Sequence, residues 1–366
     1  MSNKLILRFR FMEQYYANAA KELGIELVVP PRLPRGLVDE IGWINDQEDC
    51  LGCIYLEPWV GPYEPKAFGK IRHKKIYWSS EDPNHYLCFC TSAIVADCVF
   101  TTAEERVRAY MGICPGRPVN VLMWGCDPLI HTTNGHDPDF QMRDFDIVFT
   151  GNRYPNCKAR TDGERDVLLP AIDWAREHGK NVGVFGYGDF SEFSWREILS
   201  VWDDPFHNPR DRVRKNSDFR PTGDKVDRVA PSLFAHRNPA YQGSYQYYTE
   251  HHEVAGIYNN ATVVICINEQ IDSPTMVSMR TFEALCCGNV VLSHLSLATS
   301  KMFGDYVYMA NSPTETRRAL DTIFAEPVST AGISAEAAMK AEAGRECVLA
   351  EHTYTKRLQQ ILETIS

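Results

Sequence analysis

The chain repeatedly runs apolar at every position, and Val263-Val264-Ile265-Cys266-Ile267 is the clearest instance. A strand with one wet face alternates apolar and polar side chains, whereas a run with no alternation must be covered on both faces. Such strands belong to parallel sheets flanked by helices. Comparable runs lie at Lys4–Phe9, Glu26–Val29, Leu51–Leu56, Lys75–Trp78, Cys98–Thr101 and Val119–Met123. A second set lies at Asp146–Thr150, Asn181–Phe185, Val290–Ser293 and Tyr306–Met309. Segments with helical spacing, such as Glu164–His178 and Met279–Cys287, separate them. The rhythm is β–α–β, and 366 residues leave room for about two domains of ~100–200 residues. Two doubly wound α/β sheets are expected.

The polar stretch His131 to Pro138, punctuated by Gly135 and Pro138, marks the boundary. The division expected is residues 1–138, residues 139–345, and a closing helix over 346–366. Within the second unit, residues 203–228 mix both charges with Pro and Gly and show no periodicity, which reads as a mobile insertion. A hydrophobic content of 44% excludes a disordered chain, and a formal charge of -10 disfavours bulk binding to nucleic acid or anionic lipid. No apolar run reaches the ~18–20 residues of a membrane span. Arg8 and Arg10 interrupt the only apolar stretch of the first residues, so no signal peptide is read and a cytoplasmic chain is expected. Twelve cysteines then read as reduced, buried thiols. Cys50-x-x-Cys53 with Cys88-x-Cys90 is the one arrangement suggesting zinc, but its spacing misses the paired pattern of zinc ribbons.

The chemistry gathers where strands end. Ser273 to Gly288 is a polar loop followed by a helix that Gly288 stops. Phe282, Leu285 and Cys286 form its buried face, with Arg280 and Glu283 three apart on another. A helix start near Ser278, with Thr275 in the loop before it, offers N–H groups and a positive dipole end to a phosphate. Arg280 can add a forked contact to that phosphate, and Glu283 can accept from ribose hydroxyls. The plainer alternative is an exposed ion pair on an ordinary helix. A second loop, Gly151-Asn152-Arg153, follows the strand ending at Thr150 and combines close backbone approach with donors. Gly186 and Tyr187 close the next strand and can flank a nucleobase. In the first half, Glu81, Asp82 and His85 follow the strand ending at Trp78 and are candidates for a base. Against that, Asp before Pro83 is common in turns. His251-His252-Glu253 is a poor metal pair because adjacent helical side chains diverge. Tyr241, Tyr245, Tyr247 and Tyr248 read as packing residues.

Several segments together resemble the CgeB-like (spore maturation protein) glycosyltransferases. They are YWSSEDP at Tyr77–Pro83, FTTAEE at Phe100–Glu105, VLMWGCDPLIH at Val121–His131 and FTGNRYPN at Phe149–Asn156. GIYNNATVVICIN at Gly256–Asn268, MRTFEALCCGNVVLS at Met279–Ser293 and the tail Gly344–Leu358 complete the set, which spans residues 75–362. The resemblance implies a GT-B fold: two Rossmann-like, doubly wound domains facing across a cleft, with a C-terminal helix crossing back. It implies transfer of a sugar from a nucleoside diphosphate sugar, UDP above all, to a glycan, glycoconjugate or small acceptor, with no metal or other cofactor. The first domain would hold the acceptor and the second the donor. Gly151 and Asn152 would contact the diphosphate, Arg280 would neutralise it, and Glu283 would hold the ribose. Related enzymes often carry a further acid eight positions before that glutamate; here the position is Thr275. A protein that binds the nucleotide sugar without turnover is the alternative, as is another GT-B activity such as an epimerase.

Overall fold

The computed structural model describes residues 3–8, 12–31, 37–56, 65–80, 82–83, 86–133, 143–151, 157–185, 245–246, 253–325 and 332–366. Two six-stranded sheets organise them. The first holds β1 (Lys4–Leu7), β2 (Glu26–Val28), β3 (Cys50–Leu56), β4 (Lys75–Ser79), β5 (Cys98–Thr101) and β6 (Val119–Val121), in the order β2-β1-β3-β4-β5-β6. The second holds β7 (Phe145–Thr150), β8 (Val182–Phe185), β9 (Tyr245–Gln246), β10 (Ala261–Cys266), β11 (Val290–His294) and β12 (Tyr308–Ala310). Its order is β12-β11-β10-β7-β8-β9. Every ladder is parallel.

The unbroken apolar runs are explained by two-sided burial. Along β10, Val264 and Cys266 join one core while Val263 and Ile265 join another on the opposite face. The second sheet starts at β7, grows outward to β9, then returns past β7 through β10 to β12. Strand order therefore reverses between β7 and β10, and helices leave their carboxyl ends toward opposite faces, opening a crevice there. Gly151, after β7, and the loop after Cys266 flank that crevice.

The chain ends differently from the single closing helix expected over 346–366. A helix over Ala335–Glu351 gives way at His352 to a second over Tyr354–Ile365. Thr353 caps the second helix by accepting from the Lys356 N–H. The break is held from the first half of the chain: Cys126 N–H donates to His352 O and Tyr354 N–H donates to Cys126 O, both at 2.9 Å. A Cβ on Gly125 would come within 2.8 Å of His352 O, so glycine permits this approach. Buried Arg357 donates to the carbonyls of Met123, Trp124 and Glu351. The last helix thus crosses back onto the Glu13–Glu22 helix, where the Tyr354 ring lies 5.2 Å from Tyr15 and 5.5 Å from Tyr16. One apolar cluster consequently runs through both halves, from Leu5 and Trp78 to Phe282 and Leu358.

Of the cysteines read as a possible zinc set, Cys53 is buried in β3 and Cys90 lies on the Tyr86–Ala93 helix; both are free thiols, as is Cys50.

Candidate functional site

At the reversal point, β7 is followed by Gly151, whose N–H donates to Phe185 O at 2.8 Å. Its φ is +149°, and a Cβ there would lie 3.0 Å from Arg280 Cζ and 3.1–3.2 Å from both terminal nitrogens. The Arg280 guanidinium is therefore laid against bare glycine backbone. The sequence predicted separate contacts of Gly151 and Arg280 with one ligand; the structure adds that they touch each other. Phe149 lies beneath, its ring centroid 5.9 Å from Arg280 Cζ.

Arg280 is the second residue of the helix Met279–Cys286. Ser278, the residue before that helix, makes no side-chain hydrogen bond to its first turn. The helices that follow it are capped by Ser296, Ser312, Ser334 and Thr353. An uncapped helix start beside a guanidinium and a glycine turn favours an anion with several acceptor oxygens.

Asn268, which the sequence reading did not single out, aligns this helix start. It is buried where β10 ends, and its Oδ1 accepts from Ser278 N–H at 3.2 Å. Its Nδ2 lies 3.2 Å from Ser293 Oγ and from His294 O, and 3.3 Å from Thr299 Oγ1. The signal was present: a lone amide terminating an otherwise apolar run needs a full set of partners if buried. Next to it, Glu269 pairs with Arg160, tying this strand end to the helix Lys158–Gly163.

Glu283 departs from the exposed ion pair that was the plainer alternative for it. Its side chain is 0% exposed, and its carboxylate lies 3.5 Å from His131 Nε2, also 0% exposed. Helical spacing placed Glu283 off the apolar stripe, but the segment between the two sheets brings His131 over it. Asp127 N–H points at His131 Nδ1 at 3.1 Å, leaving Nε2 toward Glu283, and the Tyr15 ring lies 5.3 Å from the imidazole. Burial alone would lower the His131 pKa; the Glu283 hydrogen bond and charge, with smaller help from Cys286 and Asp127, raise it above the ordinary value. A surface ion pair is thereby excluded. A ribose would have to displace the covering groups to reach this carboxylate.

Thr275, in the loop before the helix, faces the first sheet. Its Oγ1 accepts from Glu104 N–H at 2.9 Å and donates to Thr102 O at 2.8 Å.

Asp82 is likewise enclosed, at 1% exposure, with Oδ2 accepting from Thr101 Oγ1 at 2.7 Å. Burial raises its pKa against the opposing hydrogen bonds of Thr101, Ser79 and Tyr110. It joins the ends of β4 and β5. Glu81, Asn152, Arg153, Gly186 and Tyr187 lie outside the described residues, as do His85, His251, His252 and residues 203–228. Among the described residues, no group of three or more His, Cys, Asp and Glu is placed to hold a metal ion. Nor is any helix among them long and apolar enough to cross a membrane.

Residues 211–363 match the family model of glycosyl transferase-like proteins. No curated protein matches the sequence. Among solved structures, an α-glucosyltransferase in complex with UDP and a mismatched DNA 13-mer aligns with TM-score 0.60 and 10% identity, covering 99% of this chain and 98% of that one. HepE from Anabaena in complex with UDP-glucose aligns with TM-score 0.56 and 14% identity over 99% and 98%. Sucrose-phosphate synthase from Thermosynechococcus elongatus aligns with TM-score 0.55 and 12% identity, again over 99% and 98%. At these identities the likeness is one of fold. The fold is GT-B, two Rossmann-like domains each built on a parallel sheet. The match over the second half supports glycosyl transfer as the activity.

Proposed function

We propose that the protein transfers a sugar from a UDP-sugar to a glycan, glycoconjugate or small acceptor, as a member of the CgeB-like branch of these enzymes. Residues 139–345 would hold the donor and residues 1–138 the acceptor. The observation that carries this reading is the Arg280 guanidinium lying on Gly151 beside an uncapped helix start, at the point where strand order reverses. Two of the structural neighbours hold UDP or UDP-glucose, which supports uridine as the base.

In this reading the diphosphate gains negative charge as the sugar departs. Arg280 and the helix N–H groups then bind it more tightly in the transition state than in the ground state, the role a cation plays elsewhere. The enclosure of Asp82 speaks against it as the base.

The test is a thermal-shift panel of UDP, GDP, TDP, ADP and CMP on wild type and Arg280→Ala. A ligand at a hundred times its Kd stabilises by ~2.7 kcal/mol, a shift of roughly 2–4 °C. One diphosphate should shift wild type and not the variant; equal shifts in both would remove the site. Release of UDP from UDP-glucose, UDP-galactose or UDP-N-acetylglucosamine then separates transfer or hydrolysis from mere binding, and isomerisation of the donor without release would identify an epimerase.

A further inference from the structure

We infer that Thr275 is a positioning residue for this transfer, a hydroxyl latch that fastens the donor loop to the first sheet across the cleft. The inference rests on the proposed donor site and deepens it. A hydroxyl has one proton and two lone pairs. Thr275 gives its proton to Thr102 O at 2.8 Å and takes the Glu104 N–H at 2.9 Å, so one side chain satisfies two backbone groups of the facing loop, one on either side of Ala103. A carboxylate accepts only, and would set negative charge against the Thr102 carbonyl. Threonine at this position therefore makes a contact that an acid could not.

Both ends of the latch are anchored. Thr102 N–H donates to Ser79 O at 3.1 Å, and Thr102 Oγ1 reaches the carbonyls of Ser80 and Asp82 at 3.2 and 3.1 Å. The facing loop is thus fixed to the ends of β4 and β5. On the donor side, Ser273 Oγ accepts from Met276 N–H at 3.1 Å and donates to Glu105 Oε2 at 3.2 Å, a second crossing beside the first. Three residues beyond Thr275, Ser278 N–H is held by Asn268. The latch therefore joins two braced strand ends, and parting the cleft at this edge requires breaking it. Its effect falls on the arrangement of the two halves, while Arg280 and Gly151 hold the nucleotide.

The experiment compares Thr275→Val, which keeps the shape and removes the hydroxyl, with Thr275→Ser, which keeps the hydroxyl. Amide hydrogen exchange at Glu104 reads the latch without any ligand. Exchange should quicken about tenfold in Thr275→Val, the equivalent of one net hydrogen bond, and return to the wild-type rate in Thr275→Ser. With UDP-glucose as probe, kcat for UDP release should fall by about the same factor in Thr275→Val, with UDP affinity within about twofold of wild type, and recover in Thr275→Ser. Unchanged exchange at Glu104 in Thr275→Val would overturn the latch, as would failure of serine to restore it. A fall in UDP affinity matching the fall in kcat would make Thr275 a nucleotide contact instead. If wild type binds no UDP, the donor-site reading fails, while the exchange comparison still decides whether the hydroxyl joins the halves.

Discussion

The carboxyl ends of the two sheets are built to opposite plans. In the first sheet many of the described polar groups there are engaged with one another, Asp82 Oδ2 by Thr101, Ser79 by Tyr110 and Thr102 Oγ1 by the backbone of Ser80 and Asp82. Thr102 O and Glu104 N–H go to Thr275. In the second, a guanidinium lies on bare glycine next to a helix start that no side chain caps. A satisfied network is rigid and offers few binding groups, whereas clustered positive groups are a standing site for an anion. The side proposed for the donor therefore carries anion-binding groups of its own.

The largest expected effect breaks the second plan. Arg280→Ala should weaken UDP binding about tenfold to a hundredfold, since hydrogen bonds to charged groups carry ~1.5–3 kcal/mol. Calorimetric titration measures it, and Arg280→Lys should recover only part, having lost the fork. Gly151→Ala comes next. The new methyl would press the guanidinium at 3.0 Å and force alanine into positive φ, so both UDP affinity and thermal stability should fall, by about 1–3 kcal/mol in stability.

Smaller is the titration of the pair that joins the halves. Glu283 raises the His131 pKa, so the native state holds the proton more tightly than the unfolded chain does. That stability is fully present below about pH 6.5 and is lost as pH rises through the raised folded value. His352 works the other way. Held down to about 4 by burial and by Arg357, it costs stability as pH falls below about 6.5. Urea midpoints of wild type minus His131→Gln, followed from pH 6 to 9, should isolate the first effect as a declining difference; a flat difference would show that the pair does not titrate. The smallest effect is expected from Asp82→Asn. Burial raises this pKa, so ionisation costs native stability as pH rises above the ordinary carboxylate value. The variant should be as stable as wild type at pH 7, or slightly more so, and bind UDP unchanged. A large loss of turnover in a well-folded Asp82→Asn protein would reopen a role for it as the base.

How far the sequence carried the fold depends on what each element depends upon. Val263–Ile267 and Val290–Ser293 were legible because two-sided burial writes itself into every position of a strand. Tyr245–Gln246, two residues beside β8, has too little pattern to read. The break at His352 escaped because its cause, the backbone of Cys126, lies in the other half of the chain. The site divides in the same way. Arg280 was read as a phosphate contact from local chemistry, an arginine in the first turn of a helix, and Gly151 as a close backbone approach after a strand, its diphosphate contact being what the resemblance implied. Glu283 was placed off the apolar stripe and Asp82 after the strand ending at Trp78, and the groups that enclose them, His131 and Thr101, come from elsewhere in the chain.

Local pattern by itself determined the alternation of buried strands and helices, the glycine turn after Thr150 and the helix that carries Arg280, because each depends on near neighbours and on periodic burial. Only the tertiary structure decided that Arg280 lies on Gly151, that His131 closes over Glu283 and that Thr275 grips the opposite loop. Those contacts join residues far apart in the chain, and a hydrogen bond or a close approach is set by distance in space, which spacing along the sequence does not encode.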